Sequence, residues 1–224
     1  VARPPVLGGK VKSFNGDKAK AVRGVREVIS INAGVAVVAN DFWSAKLGSE
    51  ALEVVWDEGP NADLSTEVLR KQFTELAKTP GVVARREGDP QQALSRAGRQ
   101  LSVECEVPYL AHATMETLNC LVDLREDSCE IWTGTQFQTG DRNAAASMAG
   151  LKPEKVKIHT VLLGGGFGRR ANPYSDFVVE AVQVAKALKK PVKVIWTRED
   201  DIRGDYYRPM WYDRISGGLD EMGN

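Results

Sequence analysis

The sequence is poor in the residues that build metal and redox centres. Its 224 residues include three cysteines, Cys105, Cys120 and Cys129, and no two of them form a Cys-x-x-Cys pair. That argues against an iron–sulfur cluster or a structural zinc inside the chain and leaves the thiols as small apolar residues for burial. The two histidines, His112 and His159, have no second ligand at useful spacing, so no metal held by side chains is expected. Net charge is missing too, because 30 Lys and Arg balance 30 Asp and Glu. There is thus no electrostatic case for nucleic acid or an anionic membrane. No apolar run approaches the length of a membrane span, no secretory leader is recognisable, and there is no internal repeat. The basic pairs Arg85-Arg86 and Arg169-Arg170 read as solvated faces.

What the chain does have is enough apolar residue, 42%, for a sizeable core, and one concentrated glycine run. Gly164-Gly165-Gly166-Phe167-Gly168-Arg169-Arg170 follows a strand signal from Val156 to Leu163, with Val156, Ile158, Thr160 and Leu162 on one face. A helix is predicted after it, with Asn172 as the cap, Pro173 in the first turn, and Phe177, Val178, Ala181, Val182, Ala185 and Leu188 at helical spacing. A strand that runs through glycines into a helix lets backbone N–H groups approach an anionic or strongly polar ligand. The dinucleotide fingerprint fails at its third glycine, which is Arg169, and the phosphate-loop pattern fails because Arg169 stands five places after Gly164. On spacing alone the turn could equally hold nothing.

In chain order, residues 1–58 show a small α/β pattern. Strands are predicted at Lys10–Phe14, Glu27–Ile31, Val35–Ala39 and Leu52–Trp56, with a short helix from Phe42 to Leu47. Residues 59–100 read as a helical connector, with helices from Ser65 to Lys78 and from Asp89-Pro90 to Ala97. From Leu101 onward the pattern is α+β. Strands are predicted at Leu101–Val107, Asn119–Leu124, Glu130–Thr133 and Val192–Trp196, with an alanine-rich helix from Asp141 to Met148 closed by Gly150. Gly217-Gly218 reads as the start of a hairpin turn. The opening Val1-Ala2-Arg3-Pro4-Pro5 and this unfinished hairpin make the chain read as a piece of a longer protein.

Gly-Gly-Gly-Phe-Gly-Arg-Arg resembles the molybdopterin loop of the xanthine dehydrogenase and aldehyde oxidase family. Its Arg-Arg ending resembles the branch that holds the isoquinoline 1-oxidoreductase large subunit and related aldehyde dehydrogenases. Three further segments resemble that branch in the same order: Tyr109 to Glu116, Gly134-Thr135-Gln136, and Thr197 to Asp201. The resemblance implies the end of an α/β-hammerhead domain over residues 1–58, a connector over 59–100, and the N-terminal part of a molybdopterin-binding domain over 101–224. It implies molybdenum with a molybdopterin cytosine dinucleotide as cofactor. It also implies oxidative hydroxylation of an N-heteroaromatic or aldehyde substrate, a small [2Fe-2S] subunit as partner and a cytochrome c as a candidate electron acceptor. The expected setting is the bacterial periplasm or cytoplasm.

The resemblance also assigns residues. Gln136 matches the glutamine that hydrogen-bonds the oxo group of the molybdenum centre, and Gly165, Gly166, Phe167, Gly168 and Arg169 match the cofactor-binding loop. Glu116 falls in a signature that reads Glu-Pro in the family but Glu116-Thr117 here, which leaves it a role in the active-site wall. Xanthine-type members carry a substrate glutamate just after the loop, where this chain has Ala171, so purine recognition is not expected. The family's catalytic glutamate is expected beyond Asn224, leaving no catalytic residue in the chain. A glycine run loses much backbone entropy unless a ligand or neighbouring domain orders it, so Gly164 to Arg170 is expected as an exposed, mobile or distorted turn. Gln136 is expected at the end of the Glu130–Thr135 strand, facing Phe167-Gly168 across a gap with room for a metal-bound oxygen.

Overall fold

The computed structural model describes residues 1–223. Helix and strand are mixed, as the α+β reading expects. The chain opens with β1 (Lys10–Asn15), α1 (Asp17–Ala21), β2 (Val25–Ile31), β3 (Gly34–Ala39), α2 (Phe42–Glu50) and β4 (Glu53–Asp57). Two helices follow, α3 (Thr66–Leu76) and α4 (Pro90–Arg96), and then β5 (Arg99–Val107). The remainder is β6 (Asn119–Leu124), β7 (Cys129–Thr133), α5 (Gln138–Ala149), β8 (Val156–Thr160), α6 (Asp176–Leu188), β9 (Val192–Ile195), α7 (Arg198–Arg203) and β10 (Trp211–Leu219). Among the described residues no helix is long and apolar enough to cross a membrane.

Contacts divide the chain into two compact units, each built from two separate stretches. The first joins Val1–Ala62 to Ala111–Tyr206, and the second joins Asp63–Leu110 to Tyr207–Asn224. The segments 59–100 and 101–224 read from the sequence therefore do not coincide with these units.

The core of the first unit is a four-stranded sheet in the order β8-β7-β6-β9. Strands β6, β7 and β9 alternate, placing Cys120, Val122, Cys129, Ile131 and Val194 on the covered face. Helices α5 and α6 cover that face through Ala145, Ala146, Phe177, Val178, Ala181, Val182 and Ala185. Each large apolar side chain buried in this way contributes roughly 1.5–3 kcal/mol. Glu180 on α6 is buried as well, and it accepts hydrogen bonds from the Arg3 guanidinium and from Trp196 Nε1 at 3.0 Å. The parallel pair β7–β8 positions the site. Parallel neighbours need a crossover, and α5 supplies it, so the C-terminal ends of β7 and β8 lie side by side with Thr133 opposite Thr160.

In the second unit β10 pairs antiparallel with β5 from Trp211 opposite Val107 to Leu219 opposite Arg99. Here the structure corrects the hairpin expected at Gly217-Gly218. Both glycines lie inside β10, opposite Leu101 and Gln100, and the partner strand precedes them in the chain. A Cβ at Gly218 would sit 2.6 Å from that of Ala97, so glycine marks a close approach rather than a turn.

Two other expectations shift, and one helix is new. Strand β8 stops at Thr160, not Leu163, because its one neighbour, β7, ends at Thr133; Leu162 is 99% exposed. Helix α6 starts at Asp176, not after Asn172. The Asn172 side chain instead accepts from the Tyr174 N–H at 3.0 Å, and this Asx turn competes with the helical cap. Helix α7 was not foreseen from its residues, although Thr197 and Asp200 form a capping box at its start. At α5 the expected stop holds: Gly150 is left-handed at φ 82° and donates to Ala146 O at 2.9 Å.

Candidate functional site

Two segments leave the C-terminal ends of the parallel strands β7 and β8 and meet. The first is Gly134-Thr135-Gln136, which leads from β7 into α5. Thr135 is buried, its hydroxyl donates to the Asp141 carboxylate, and it accepts the Phe137 N–H at 2.9 Å. Burial pushes the Asp141 carboxyl above the usual carboxylate range, an effect the Thr135 hydroxyl offsets only in part. The Gln136 N–H donates to Arg170 O at 3.1 Å, which ties this segment to the second one.

The second segment is the glycine loop. Phe167 is left-handed at φ 51° and 78% exposed, and Gly168 follows at φ 103°, a conformation that costs glycine nothing and other residues much. The loop has a distorted backbone, as expected. Arg169 N–H donates to Gly166 O at 2.9 Å and Ala171 N–H to Gly168 O at 3.0 Å. The N–H groups of Gly165, Gly166 and Phe167 have no intramolecular partner among the described residues. Three unpaired donors in succession on a bent backbone suit an acceptor-rich or anionic ligand.

Gln136 faces this loop, but without the gap expected from the sequence. Gly168 N–H donates directly to Gln136 Oε1 at 3.1 Å. The Gly168 amide is therefore already occupied, and Gln136 Nε2 is the donor left over at an exposed position.

Glu116 is half-buried beside the loop. It pairs with Gly164 in both directions: Glu116 N–H donates to Gly164 O at 3.1 Å, and Gly164 N–H to Glu116 Oε2 at 2.8 Å. Asn119 Nδ2 donates to Oε1 at 2.9 Å. Burial would raise the Glu116 carboxyl, but these donors and the Arg170 charge outweigh it and hold the group below the ordinary glutamate value. It is thus an ionised acceptor that shapes the loop, not a proton donor at neutral pH.

The arginine pair is the largest departure from the sequence reading. Arg169 and Arg170 are 2% and 0% exposed rather than solvated. The Arg170 Nε donates to Gly165 O at 3.0 Å and Nη1 to Gly134 O at 3.2 Å. Its Nη2 donates to Glu116 O at 3.0 Å and to Glu116 Oε2 at 3.2 Å. One side chain thus holds both segments and Glu116. Arg169, expected at the ligand, is engaged inside the protein. It forms a bidentate pair with Asp176 at 3.1 and 2.7 Å and donates to Gly204 O at 3.2 Å. Its Nε lies 2.9 Å from Asp205 Oδ1 but off the N–H axis, so that contact is Coulombic rather than a hydrogen bond. Asp205 also accepts from the backbone N–H of His112 and lies 3.0 Å from its Nδ1.

Sequence reasoning therefore missed Arg170, Asp176 and Asp205. The one available signal was an arginine directly after a glycine run, where bent backbone leaves carbonyls in need of a donor. Among the described residues no three His, Cys, Asp or Glu side chains converge as a metal site.

Loop amides and one amide side chain thus converge at the ends of two parallel strands in an α+β unit, an arrangement suited to a cofactor rich in acceptors. The profile of the molybdopterin cofactor-binding domain family matches residues 53–224, and the chain belongs to that family. It is 31% identical to the beta subunit of isoquinoline 1-oxidoreductase from Brevundimonas diminuta, over 96% of this chain and 29% of that protein. It is 27% identical to a subunit of nicotinate dehydrogenase from Pseudomonas putida, over 100% of this chain and 19% of that one. Quinoline 2-oxidoreductase from Pseudomonas putida 86 shares the fold at a TM-score of 0.74 and 17% identity, covering 98% of this chain and 33% of that chain. Aldehyde oxidoreductase from Desulfovibrio gigas does so at 0.72 and 16% identity, covering 97% and 29%. The chain spans about a third or less of the length of each of these proteins.

Proposed function

We propose that this chain forms one wall of the molybdenum cofactor site in the large subunit of a hydroxylase acting on an N-heteroaromatic or aldehyde substrate. The observation that carries the reading is the junction of Gln136 with the glycine loop. Among the described residues the amides of Gly165, the buried Gly166 and Phe167, and the Gln136 Nε2, are donors without a partner within one short stretch of the junction. A pterin cofactor, rich in acceptors, fits such a donor set. When bound, its molybdenum supplies the two-electron redox chemistry. The chain's own residues bind and orient: the loop amides hold the cofactor, Gln136 donates a hydrogen bond without adding charge, and Arg170 and Glu116 keep both in place.

The cytosine dinucleotide form, the small [2Fe-2S] subunit, a cytochrome c acceptor and a periplasmic or cytoplasmic setting belong to the same proposal. So do a hammerhead origin for residues 1–58 and a connector over 59–100. Two of the relatives, named for isoquinoline and for nicotinate, favour an N-heteroaromatic substrate. A second reading, a non-catalytic cofactor-binding or assembly module, predicts that the full-length protein loads cofactor but turns nothing over.

The test is Gln136→Ala in the full-length enzyme, with turnover normalised to bound molybdenum. Loss of one preorganised donor at a reacting centre is expected to lower turnover by about 100-fold, with cofactor content largely retained. Unchanged normalised turnover would remove Gln136 from the site. The isolated 224 residues are expected to hold no molybdenum and to show no dehydrogenase activity, because too few contacts remain. Stoichiometric molybdenum in the isolated chain would contradict this.

A further inference from the structure

We propose that the N–H of Gly168 decides which end of the Gln136 side-chain amide is offered to the ligand, and that Gly166, by lacking a side chain, leaves the room that amide needs to reach it. This rests on the cofactor-site reading above and deepens it, by naming residues that position the glutamine rather than touch the reacting atoms.

A primary amide has an acceptor end and a donor end of nearly equal size, and a half-turn about its last bond exchanges them. A glutamine meant to donate must be prevented from turning. The Gly168 N–H does this chemically. It is a donor 3.1 Å from the amide oxygen, so it bonds Oε1 and would clash electrostatically with the Nε2 hydrogens if the amide turned. With Oε1 fixed, Nε2 is the end left at the exposed edge.

Gly166 supplies the steric half. A Cβ built there would lie 2.3 Å from Gln136 Oε1, 2.6 Å from its Cδ and 3.1 Å from Nε2, so the amide rests directly against the Gly166 backbone. Those three atoms are the nearest to the built Cβ, and all belong to Gln136. Gly166 also differs from Gly165 and Gly168 in lying outside the left-handed region of φ. Its φ therefore does not itself call for glycine, whereas an added Cβ conflicts with the Gln136 amide. The glycine at 166 is required by the glutamine at 136, not by the shape of the loop.

This gives a clean double substitution. In the full-length holoenzyme, Gly166→Ala should displace the Gln136 amide, lower turnover per molybdenum by about 100-fold as Gln136→Ala does, and change the molybdenum(V) paramagnetic resonance signal in the same direction. Its thermal midpoint should fall only slightly, because the methyl pushes the exposed Gln136 amide off the Gly168 N–H rather than meeting rigid backbone. Gly166→Ala with Gln136→Ala should turn over no worse than Gln136→Ala alone and should match its midpoint, because the shorter side chain vacates the space. Gln136→Glu should keep the loop's midpoint, since a carboxylate still accepts from Gly168 N–H, yet lose turnover because it has no donor to offer.

Losses that multiply in the double variant, or a Gly166→Ala enzyme with a wild-type signal and turnover, would overturn the proposal. If Gln136→Ala itself leaves signal and turnover unchanged, the cofactor-site reading fails and this proposal with it. A midpoint lowered by Gly166→Ala in the wild-type background but not in the Gln136→Ala background would then still record the packing of Gln136 on Gly166, which separates the two failures.

Discussion

Arg170 and Glu116 meet at 3.2 Å, and through this pair the segment before β6 is joined to the far end of the glycine loop. Arg170 has no exposed surface, and each of its three guanidinium nitrogens donates to the protein. Its burial is possible because three carbonyls from three separate segments, Gly134, Gly165 and Glu116, and the Glu116 carboxylate accept from it.

Arg170→Met tests that role. The substitution keeps the bulk but leaves the carbonyls of Gly134 and Gly165 without their donor and removes the charge paired with Glu116, whose own carbonyl keeps the Thr114 hydroxyl. Each unsatisfied buried group costs about 1–3 kcal/mol, so a total loss of about 3 kcal/mol or more is expected. In a protein of this size that is a fall of roughly 10 °C in the thermal midpoint. A midpoint within about 2 °C of wild type would mean that the loop holds its shape without the arginine.

Glu116 gives the site an acid limit. Its carboxyl titrates below the ordinary glutamate value, about 4.3, because burial is outweighed by the Gly164 and Asn119 donors and the Arg170 charge. A carboxyl depressed by folding stabilises the native state fully above the unfolded value and loses that contribution as pH falls through the lower folded one. The stability gap between wild type and Glu116→Gln should therefore be constant from about pH 6 to 8 and shrink below about pH 4. Denaturant titrations across this range read the gap directly, and a gap that widens on acidification would reverse the assignment.

How much of this was legible varies by element. Alternation in Asn119–Leu124 and Glu130–Thr133 and the helical spacing from Phe177 to Leu188 specified three pieces of the core, since burial of one face writes itself into the residue order. The loop was legible because glycine run and family resemblance coincide. The pairing of β5 with β10 was not, because its partners lie about 100 residues or more apart and neither strand shows a buried face. Arg169 and Arg170 misled for a related reason. Two adjacent arginines look solvated until the carbonyls and carboxylates around them are known, and those come from Gly134, Glu116, Asp176 and Asp205.

The thiols make a separate prediction. Burial pushes the Cys120 thiol far up and that of Cys129 up to about 11, whereas Cys105 is exposed. At about pH 8 the native chain should react with a thiol reagent at Cys105 alone, with Cys120 and Cys129 reacting only after unfolding. Mass spectrometry of the alkylated protein assigns the sites. Rapid native labelling of Cys120 or Cys129 would show that the sheet opens more readily than its packing implies.

Asp205 and Arg169 have side chains 1% and 2% exposed, so their contact is screened very little by solvent. Asp205→Ala would leave the His112 backbone N–H without its acceptor and Arg169 with Asp176 as its one remaining carboxylate. Breaking such a buried pair costs roughly 3–5 kcal/mol, and the surviving Asp176 contact places the expected loss near about 3 kcal/mol in urea unfolding. Asp205→Asn separates the two parts of the interaction. It retains an oxygen for the His112 N–H but removes the charge, and the Arg169 Nε contact is off the N–H axis and so depends on charge rather than direction. Asparagine should therefore recover less than half of the loss seen with alanine. Full recovery would show that the hydrogen bond to His112, and not the pairing with Arg169, is what Asp205 contributes behind the loop.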